Sequence, residues 1–497
     1  MKPAATAAHS GGIDLVAGPV GRGLLLFALP MLGSNILQSL NGSINSMWVG
    51  RFLGARALAA TTSANLIMFL LFAGVFGLAM ATSILVGQSA GRGEVAKIRR
   101  AVGTSGGLFL IAGVLITIAS WLAAPWILRM LVTPHDVFPF ALAYLRIITL
   151  VMPSVFIFVL LMMALRSTGD AMTPMWFMAG SAVLDAGLNP LLITGAGWFP
   201  ELGIRGAALA SLLASYISCA GLLVYIYRRD LVIRLRGIEW RYLRPERELL
   251  RFIVPKGLMM GLQSLIMTLS ALALVGMVNR YGSTAAAAYG AVNQLWAYIQ
   301  MPAMAIAASI STMAAQCIGA GKSVRLPLIA SRGLVIALAM TGVMAVALVL
   351  VDHRVLQLFL PANGDAVELA QHIDRVGVCS LILFALTCVP GSIVRANGAV
   401  LVPLIILLVS VFPIRLGFIF VFESRFGIDA IWWSLVASMA ASLGLSCAYY
   451  QWGGWRDAPL LSPSTPEPKL KNPDSDDVST SVATPVSMAA ADGACNA

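Results

Sequence analysis

GARALAATTSAN, residues 54 to 65, returns as GSTAAAAYGAVN at residues 282 to 293, an offset of 228. The same offset lays GQSAGRG (Gly87 to Gly93) on AQCIGAG (Ala315 to Gly321). Slightly different offsets pair FALP ending at Pro30 with FIVP ending at Pro255, and Gln38 with Gln263. They also pair RSTGDAMTP from Arg166 with RANGAVLVP from Arg395, and LGI at Gly203 with FGI at Gly427. Self-similarity sustained across the chain means two copies of one structural unit.

The unit belongs in a membrane. Of 497 residues, 59% are hydrophobic and only 11% charged, against about 25% charged in soluble domains. A bilayer core of about 30 Å needs about 20 apolar residues per helix. Twelve such runs occur: roughly 24–48, 58–88, 101–124, 138–165, 174–195, 206–227, 252–279, 285–316, 326–351, 367–394, 401–421 and 429–452. They are too long for barrel strands, and open backbone groups cannot be satisfied in lipid, so helices are expected. The expected organisation is an N-terminal segment (1–23), an N-lobe of six spans (24–227), a basic connector (228–251), a C-lobe of six spans (252–455) and a disordered tail (456–497). The tail, RDAPLLSPSTPEPKLKNPDSDDVSTSVATPVSMAAADGACNA, is too poor in large apolar side chains to offset the entropy of ordering. The first span is expected to act as an uncleaved signal.

Six spans per half is an even number, so both halves enter the bilayer in the same direction and are related by a pseudo-two-fold along the membrane normal. Both termini and the connector share one side. That side carries 23 Lys and Arg against 10 on the other, nine of the 23 in the connector, which places the termini in the cytoplasm. The net charge of +11 thus reflects topology and not a nucleic-acid partner. Two lobes around a central cleft can rock to expose a midplane site to each side in turn, as a secondary transporter requires.

Several chemistries lack their residues. Cys219, Cys317, Cys379, Cys388 and Cys447 lie in or beside apolar runs and Cys495 in the tail, with no CxxC or Cys/His spacing, so they read as reduced and non-ligating. His9, His135, His353 and His372 are dispersed. GQSAGRGE and CIGAGK are glycine-rich without GxxxxGK[ST], which disfavours an ATP-driven pump. No convergent nucleophile and base is present, so an enzyme is not expected. No cofactor or metal is expected.

The motifs together resemble the multidrug and toxic compound extrusion (MATE) transporters. FALPMLGSNILQSLNGSINSMWVGRFLGARALAA carries the resemblance in the first span and loop, VGQSAGRGE after the second, ALRSTGDAMTPM after the fourth, VLDAGLNPLLI in the fifth and LGIRGAALAS at the sixth. With their echoes in the second half, they cover about residues 22 to 455. The resemblance implies twelve helices in two lobes, and export of organic, often cationic, compounds driven by inward flow of protons or sodium ions.

The family commonly carries an acidic residue in the first span, where this chain has Asn45, and in the fifth an Asn followed four residues later by an Asp. Here that pair is reversed: Asp185 precedes Asn189. One helical turn, about 5.4 Å, separates the two positions on one face, so the carboxylate is moved rather than lost.

In the first half Asp14, Glu94, Asp136, Asp170, Glu201 and Asp230 fall in loops or ends, leaving Asp185 alone within a span. A mid-membrane carboxylate costs about 2.5 to 3.5 kcal/mol on insertion scales, so it should face a polar cleft and serve function. Asp185, Asn189, Asn45 and Asn41 are the expected cation-coupling residues. Gln38, Asn41 and Asn45 share a face of the first span, and Ser181 and Asn189 stand one turn either side of Asp185. Ser211 joins them through the family motif. In the second half Tyr289, Asn293, Trp296 and Gln300 line one face of the eighth span, and Gln263 answers Gln38. Aromatic faces attract organic cations, and Met259, Met260, Met301 and Met304 suit varied ligands. Gln38, Ser181, Ser211, Gln263, Tyr289, Asn293, Trp296 and Gln300 are therefore the expected substrate contacts. No carboxylate is read mid-span in this half; Asp374 is placed near the start of the tenth span and Glu423 in a loop.

The expectation is a monomeric, multi-pass antiporter of the plasma (inner) membrane, exporting cationic or amphipathic compounds for protons, with sodium the alternative ion. One carboxylate with amides is a thin oxygen cage for sodium. A lipid-linked saccharide flippase is the second reading, though apart from Arg415 the span interiors hold almost no Lys or Arg for a pyrophosphate. A non-transporting membrane scaffold is the third.

Overall fold

A computed structural model describes residues 15–130, 134–195, 200–357 and 365–457. The tail from 458 onward, His9, Asp14 and Cys495 lie outside the described residues.

Eleven helices among the described residues are long and apolar enough to cross a bilayer. The first, Val20–Arg92, has 73 residues and would reach about 110 Å if straight, far more than a bilayer's thickness. It cannot stay straight, because Gly54 has φ 78° and ψ −175°. That backbone is open to glycine and strained for other residues, and it splits the rod into α1 (20–53) and α2 (55–92). The loop expected between spans one and two is thus a single-residue break. The remaining spans are α3 (Val95–Met130), α4 (Phe138–Ser167), α5 (Met172–Thr194), α6 (Ile204–Arg228), α7 (Arg247–Asn279), α8 (Ser283–Gly319), α9 (Leu326–Leu356), α10 (Asp365–Ala396), α11 (Leu401–Phe426) and α12 (Asp429–Trp452). Twelve spans result.

The repeat is written in the backbone. Gly282, the partner of Gly54, has φ 100° and ψ 173° ahead of α8. Gly203 and Gly427 share φ 55°, with ψ −128° and −131°, ahead of α6 and α12. Gly93 and Gly321, and Gly169 and Gly398, also have positive φ. Each repeated glycine of this set therefore marks the same turn in each half.

The cores show how the halves meet. One buried cluster draws only on the N-half, from Val49 and Ala57 through Tyr144 to Ile193 and Ala208. A second draws only on the C-half, from Leu274 through Trp296 to Trp432. Both sit toward the end of the bundle that holds Gly54 and Gly282. At the end holding Leu15 and Trp455, the first and last described residues of the core and hence the termini end of the described chain, one cluster joins Leu24, Phe27 and Met31 of α1 to Ile310 and Met313 of α8 and Ile393 of α10. Arg325 adds to this joint by donating to the backbone oxygens of Val16 and Gly18. The lobes are closed on each other at the termini end and have separate cores at the other.

Lipid supplies no hydrophobic drive between helices, so close backbone approach must hold the joint. A Cβ on Gly91 of α2 would lie 2.0 Å from the Gln316 carbonyl oxygen of α8, and one on Gly319 would lie 2.0 Å from the Gln88 oxygen. Farther along, a Cβ on Gly77 would lie 2.2 Å from the Gly261 nitrogen of α7. Only glycine fits these crossings.

The connector is not free chain. Its short 3-10 helix, Gly237–Leu243, lies on α3, where a Cβ on Gly107 would come within 1.9 Å of the Leu243 oxygen. Arg99 donates to Glu239 at 2.9 Å and to the Val232 oxygen at 3.2 Å, and Arg100 pairs with Glu246 at 2.9 Å. The Arg236 guanidinium holds the exposed Asp230 carboxyl below the usual carboxylate range.

Candidate functional site

α5 runs unbroken through Pro190, which cannot donate a backbone hydrogen bond to the preceding turn. In that loosened stretch Asp185 is 3% exposed and Asn189 fully buried. Asn189 Nδ2 donates to the Asp185 backbone oxygen at 2.9 Å and to its Oδ1 at 3.1 Å. Ser211 Oγ of α6 donates to the same Oδ1 at 3.0 Å. From α1, the Asn41 side chain also approaches this carboxylate. Asn45, one turn on, meets the phenol of Tyr144 in α4. α1, α5 and α6 thus converge on one acid, and α4 joins the cluster through Tyr144 and Asn45.

Donors and acceptors do not balance around it. The side-chain oxygens of Asn41, Asn45 and Asn189 are all buried with no donor. Three buried amide oxygens without a donor in the cluster around this carboxylate, with no Lys or Arg paired to it among the described residues, leave acceptors in excess. A proton on Asp185 or a small cation would supply what these acceptors lack. Among the described residues no group of three or more His, Cys, Asp or Glu is arranged to hold a metal ion.

Of the residues expected from sequence, Asp185, Asn189, Asn41, Asn45 and Ser211 come together here. Ser181 is half-buried one turn away on α5, and Gln38 is exposed on α1. Tyr144, 1% exposed, is not singled out by the sequence; the one signal is a phenol among the few polar residues of the fourth span, beside Arg146, Thr149 and Ser154.

The C-half residues divide. Gln263 and Gln300 line a cavity of about 460 Å³ between α2, α7, α8, α10, α11 and α12. Gln263 also donates to the Val400 oxygen at 3.4 Å. Asn293 is exposed on α8. Tyr289 and Trp296 instead sit in the lobe core, where Tyr289 stacks on Trp432 at 5.6 Å between ring centroids. Trp296 Nε1 donates to Asp374 Oδ1 at 2.8 Å.

That contact buries Asp374, which the sequence places near the start of the tenth span, and a second acid, Asp352, which no sequence pattern singles out, lies close by. Asp374 is 1% exposed and its Oδ2 has no donor, and Asp352 of α9 is 6% exposed. Asp352 accepts from Gln371 at 3.0 Å, and Gln371 and Asp374 share a face of α10 at spacing i, i+3. Arg415 is likewise buried, in a π-helical segment, Ser410–Leu416. It donates to Ser270 at 2.6 Å and to Ser438 at 3.0 and 3.2 Å.

Comparisons with known proteins agree with this architecture. The MatE family model matches residues 30–191 and again residues 260–421, one match per lobe. "Probable multidrug resistance protein YoeA" of Bacillus subtilis is 33% identical over 434 residues, 87% of this chain and 94% of that protein. "Multidrug export protein MepA" of Staphylococcus saprophyticus is 26% identical over 428 residues, 84% of this chain and 90% of that protein. A solved outward-facing multidrug resistance MATE transporter of the MOP superfamily superposes with a TM-score of 0.81 at 20% identity, covering 90% of this chain and 98% of its own. With a matching family model on each lobe and a relative at this identity along most of its length, the chain belongs to the MATE (MatE) family of multidrug efflux transporters.

Proposed function

We propose that this transporter exports organic amphipathic compounds, cations among them, in exchange for protons, with Asp185 as the coupling carboxylate. The observation that carries the reading is the pocket around Asp185: one acid, held by Asn189 and Ser211, among three amide oxygens without donors. Protonation of Asp185 gives that cluster a donor; loss of the proton restores a charge that a cationic substrate can answer. An ion or substrate shifts the lobe equilibrium only through its different affinity for the two states, and burial between four helices that belong to one lobe is how such a difference arises. Sodium is the alternative ion, since the same oxygens could cage it.

The excess of Lys and Arg at the termini end supports cytoplasmic termini in the inner membrane. On that orientation the described state faces outward, because the lobes meet at the termini end. A single chain holds both lobes and the cleft, and a monomer suffices.

A second reading places coupling in the C-lobe, because Asp352 and Asp374 are buried acids in the same membrane half-thickness as Tyr289 and Trp296. The two separate in proteoliposomes carrying a fluorescent organic cation, with an imposed proton or sodium gradient. Asp185→Asn is expected to fold and to export nothing above background, while Asp352→Asn and Asp374→Asn retain proton-driven export. Normal export by Asp185→Asn would overturn the main reading and favour the second.

A further inference from the structure

The cavity between α2 and the C-lobe has a polarity of its own. Five methionines face it, Met80, Met260, Met267, Met304 and Met439, so much of its wall is flexible and polarizable and can fit apolar bodies of varied shape. No Asp or Glu is among the lining residues, and the one charged side chain there is Arg395 of α10. Its Nη2 donates to Ser392 Oγ at 3.1 Å, and among the described residues no carboxylate pairs with it. The guanidinium lies over Gly391, where a Cβ would sit 3.2 Å from Nη1; Gly391 also lines the cavity. A glycine at that place leaves the cation's face open to the space instead of covering it.

A second cation stands nearby. Lys256 precedes Met260 by one turn on α7, and its Nζ comes within 2.6 Å of where a Cβ of Gly398 would be, in the turn after α10. Its nearest described partner is the Phe252 ring, 3.9 Å from the ring centroid, and it too lacks a carboxylate among the described residues. The last turn of a helix favours a cation, and Arg395 is in the last turn of α10. That preference explains the residue type. It does not supply a counter-charge for the guanidinium, and it does not explain why the apolar wall beside it lacks any acid.

We propose that this cavity binds an amphiphile with an anionic headgroup, its apolar body among the methionines and its anion on Arg395, with Lys256 adding positive potential at the same end. A guanidinium can hold a carboxylate, sulfonate or phosphate through paired, charge-assisted hydrogen bonds. The proposal deepens the transport reading by naming a substrate class for the C-lobe, and it is tested by binding, apart from transport and from Asp185.

Full-length protein in nanodiscs of zwitterionic lipid is titrated with a dansyl-labelled medium-chain carboxylate and with a quaternary-ammonium probe of the same length. The carboxylate is expected to bind at least tenfold more tightly. Arg395→Gln should lose at least tenfold for the carboxylate with little change for the ammonium, Arg395→Lys should fall between, and Asp185→Asn should bind the carboxylate as wild type does. Should Arg395→Gln not fold, wild-type protein serves: the carboxylate probe should slow maleimide labelling of Cys388, which lines the cavity, and the ammonium probe should not. Tighter binding of the ammonium, or equal carboxylate affinity in folded Arg395→Gln, or an unprotected Cys388, overturns the inference. Gradient-driven export of organic cations without carboxylate binding would sink this proposal alone; carboxylate binding without any gradient-driven export would sink the antiport reading and leave the site standing.

Discussion

Gln88 and Gln316 occupy the same place in the two halves, and each reaches across the lobe boundary to the other half's backbone. Gln88 Nε2 donates to the Ala396 oxygen at 2.8 Å, and Gln316 Nε2 to the Ser167 oxygen at 2.7 Å. The acceptors are themselves repeat partners, at the last turns of α10 and α4. A pseudo-two-fold thus converts one side-chain choice into two latches, which brace the lobes beside the glycine crossings of α2 and α8.

The latches should set the balance between lobe states. Deleting one neutral hydrogen bond costs about 1 kcal/mol net, a factor of about five in an equilibrium. Gln88→Ala or Gln316→Ala should raise the population separated at the termini end about fivefold, and the double variant further. Gly319→Ala should act more strongly, because its Cβ would lie 2.0 Å from the Gln88 oxygen. Pulsed dipolar spectroscopy between labels at Glu94 and Val324 reads the distance directly; unchanged distributions in all four variants would show that the latches do not hold the joint.

The reversed acid and amide of α5 give a second prediction. Asp185→Asn removes the carboxylate, and adding Asn189→Asp returns it one turn along the same face, to a position that is also fully buried. The swap should recover part of the proton-driven export that Asp185→Asn alone loses. It should not recover all, since the Ser211 hydroxyl is aimed at Asp185. Proteoliposome efflux of both variants, matched for folded protein, decides this; a folded swap with no recovery would mean that the position of the acid matters more than its presence.

What was legible in the sequence follows from what periodicity can carry. The twelve spans, the two lobes and the turn glycines were readable, because a bilayer demands long apolar runs and a duplicated turn keeps its glycine. Asp185 was readable because a carboxylate in such a run is costly and has few neutral explanations. The rotation of each helix was not readable. In α8 the row Tyr289, Asn293, Trp296, Gln300 shares a helical face, yet Tyr289 and Trp296 turn into the core, Asn293 is exposed and Gln300 reaches the cavity. An almost wholly apolar helix gives no polar face from which to orient it. Asp374 reads as an edge residue because it stands near the start of its apolar run, Asp352 is not singled out by any pattern, and contacts such as Gln88 with Ala396 join residues too distant for any local pattern.

Trp296 and Asp374 offer a stability test in the C-lobe core. Trp296→Phe keeps an aromatic ring, though a smaller one, and removes the donor to Asp374 Oδ1, leaving both carboxylate oxygens without one, since Oδ2 already has none. A buried group stripped of its partner costs about 1 to 3 kcal/mol. Trp296→Phe should lower thermal stability in detergent by that amount, and adding Asp374→Leu should cost less than the sum of the single changes, as expected for neighbours sharing one interaction. Strict additivity in thermal or denaturant unfolding would mean the two residues act independently.

The connector should be held down by a single glycine more than by its ion pairs. The Arg99 and Glu239 pair is partly exposed, so its net worth is of the order of 1 kcal/mol or less. Gly107, by contrast, lets Leu243 approach α3 so closely that a methyl group would lie 1.9 Å from the carbonyl oxygen; a backbone atom cannot rotate away as a side chain can. Gly107→Ala should therefore lift the Gly237–Leu243 segment and speed tryptic cleavage after Arg236 and Arg241 severalfold, while Arg99→Gln should speed it less. Cleavage unchanged in Gly107→Ala but accelerated in Arg99→Gln would reverse that order and make the ion pair the tether.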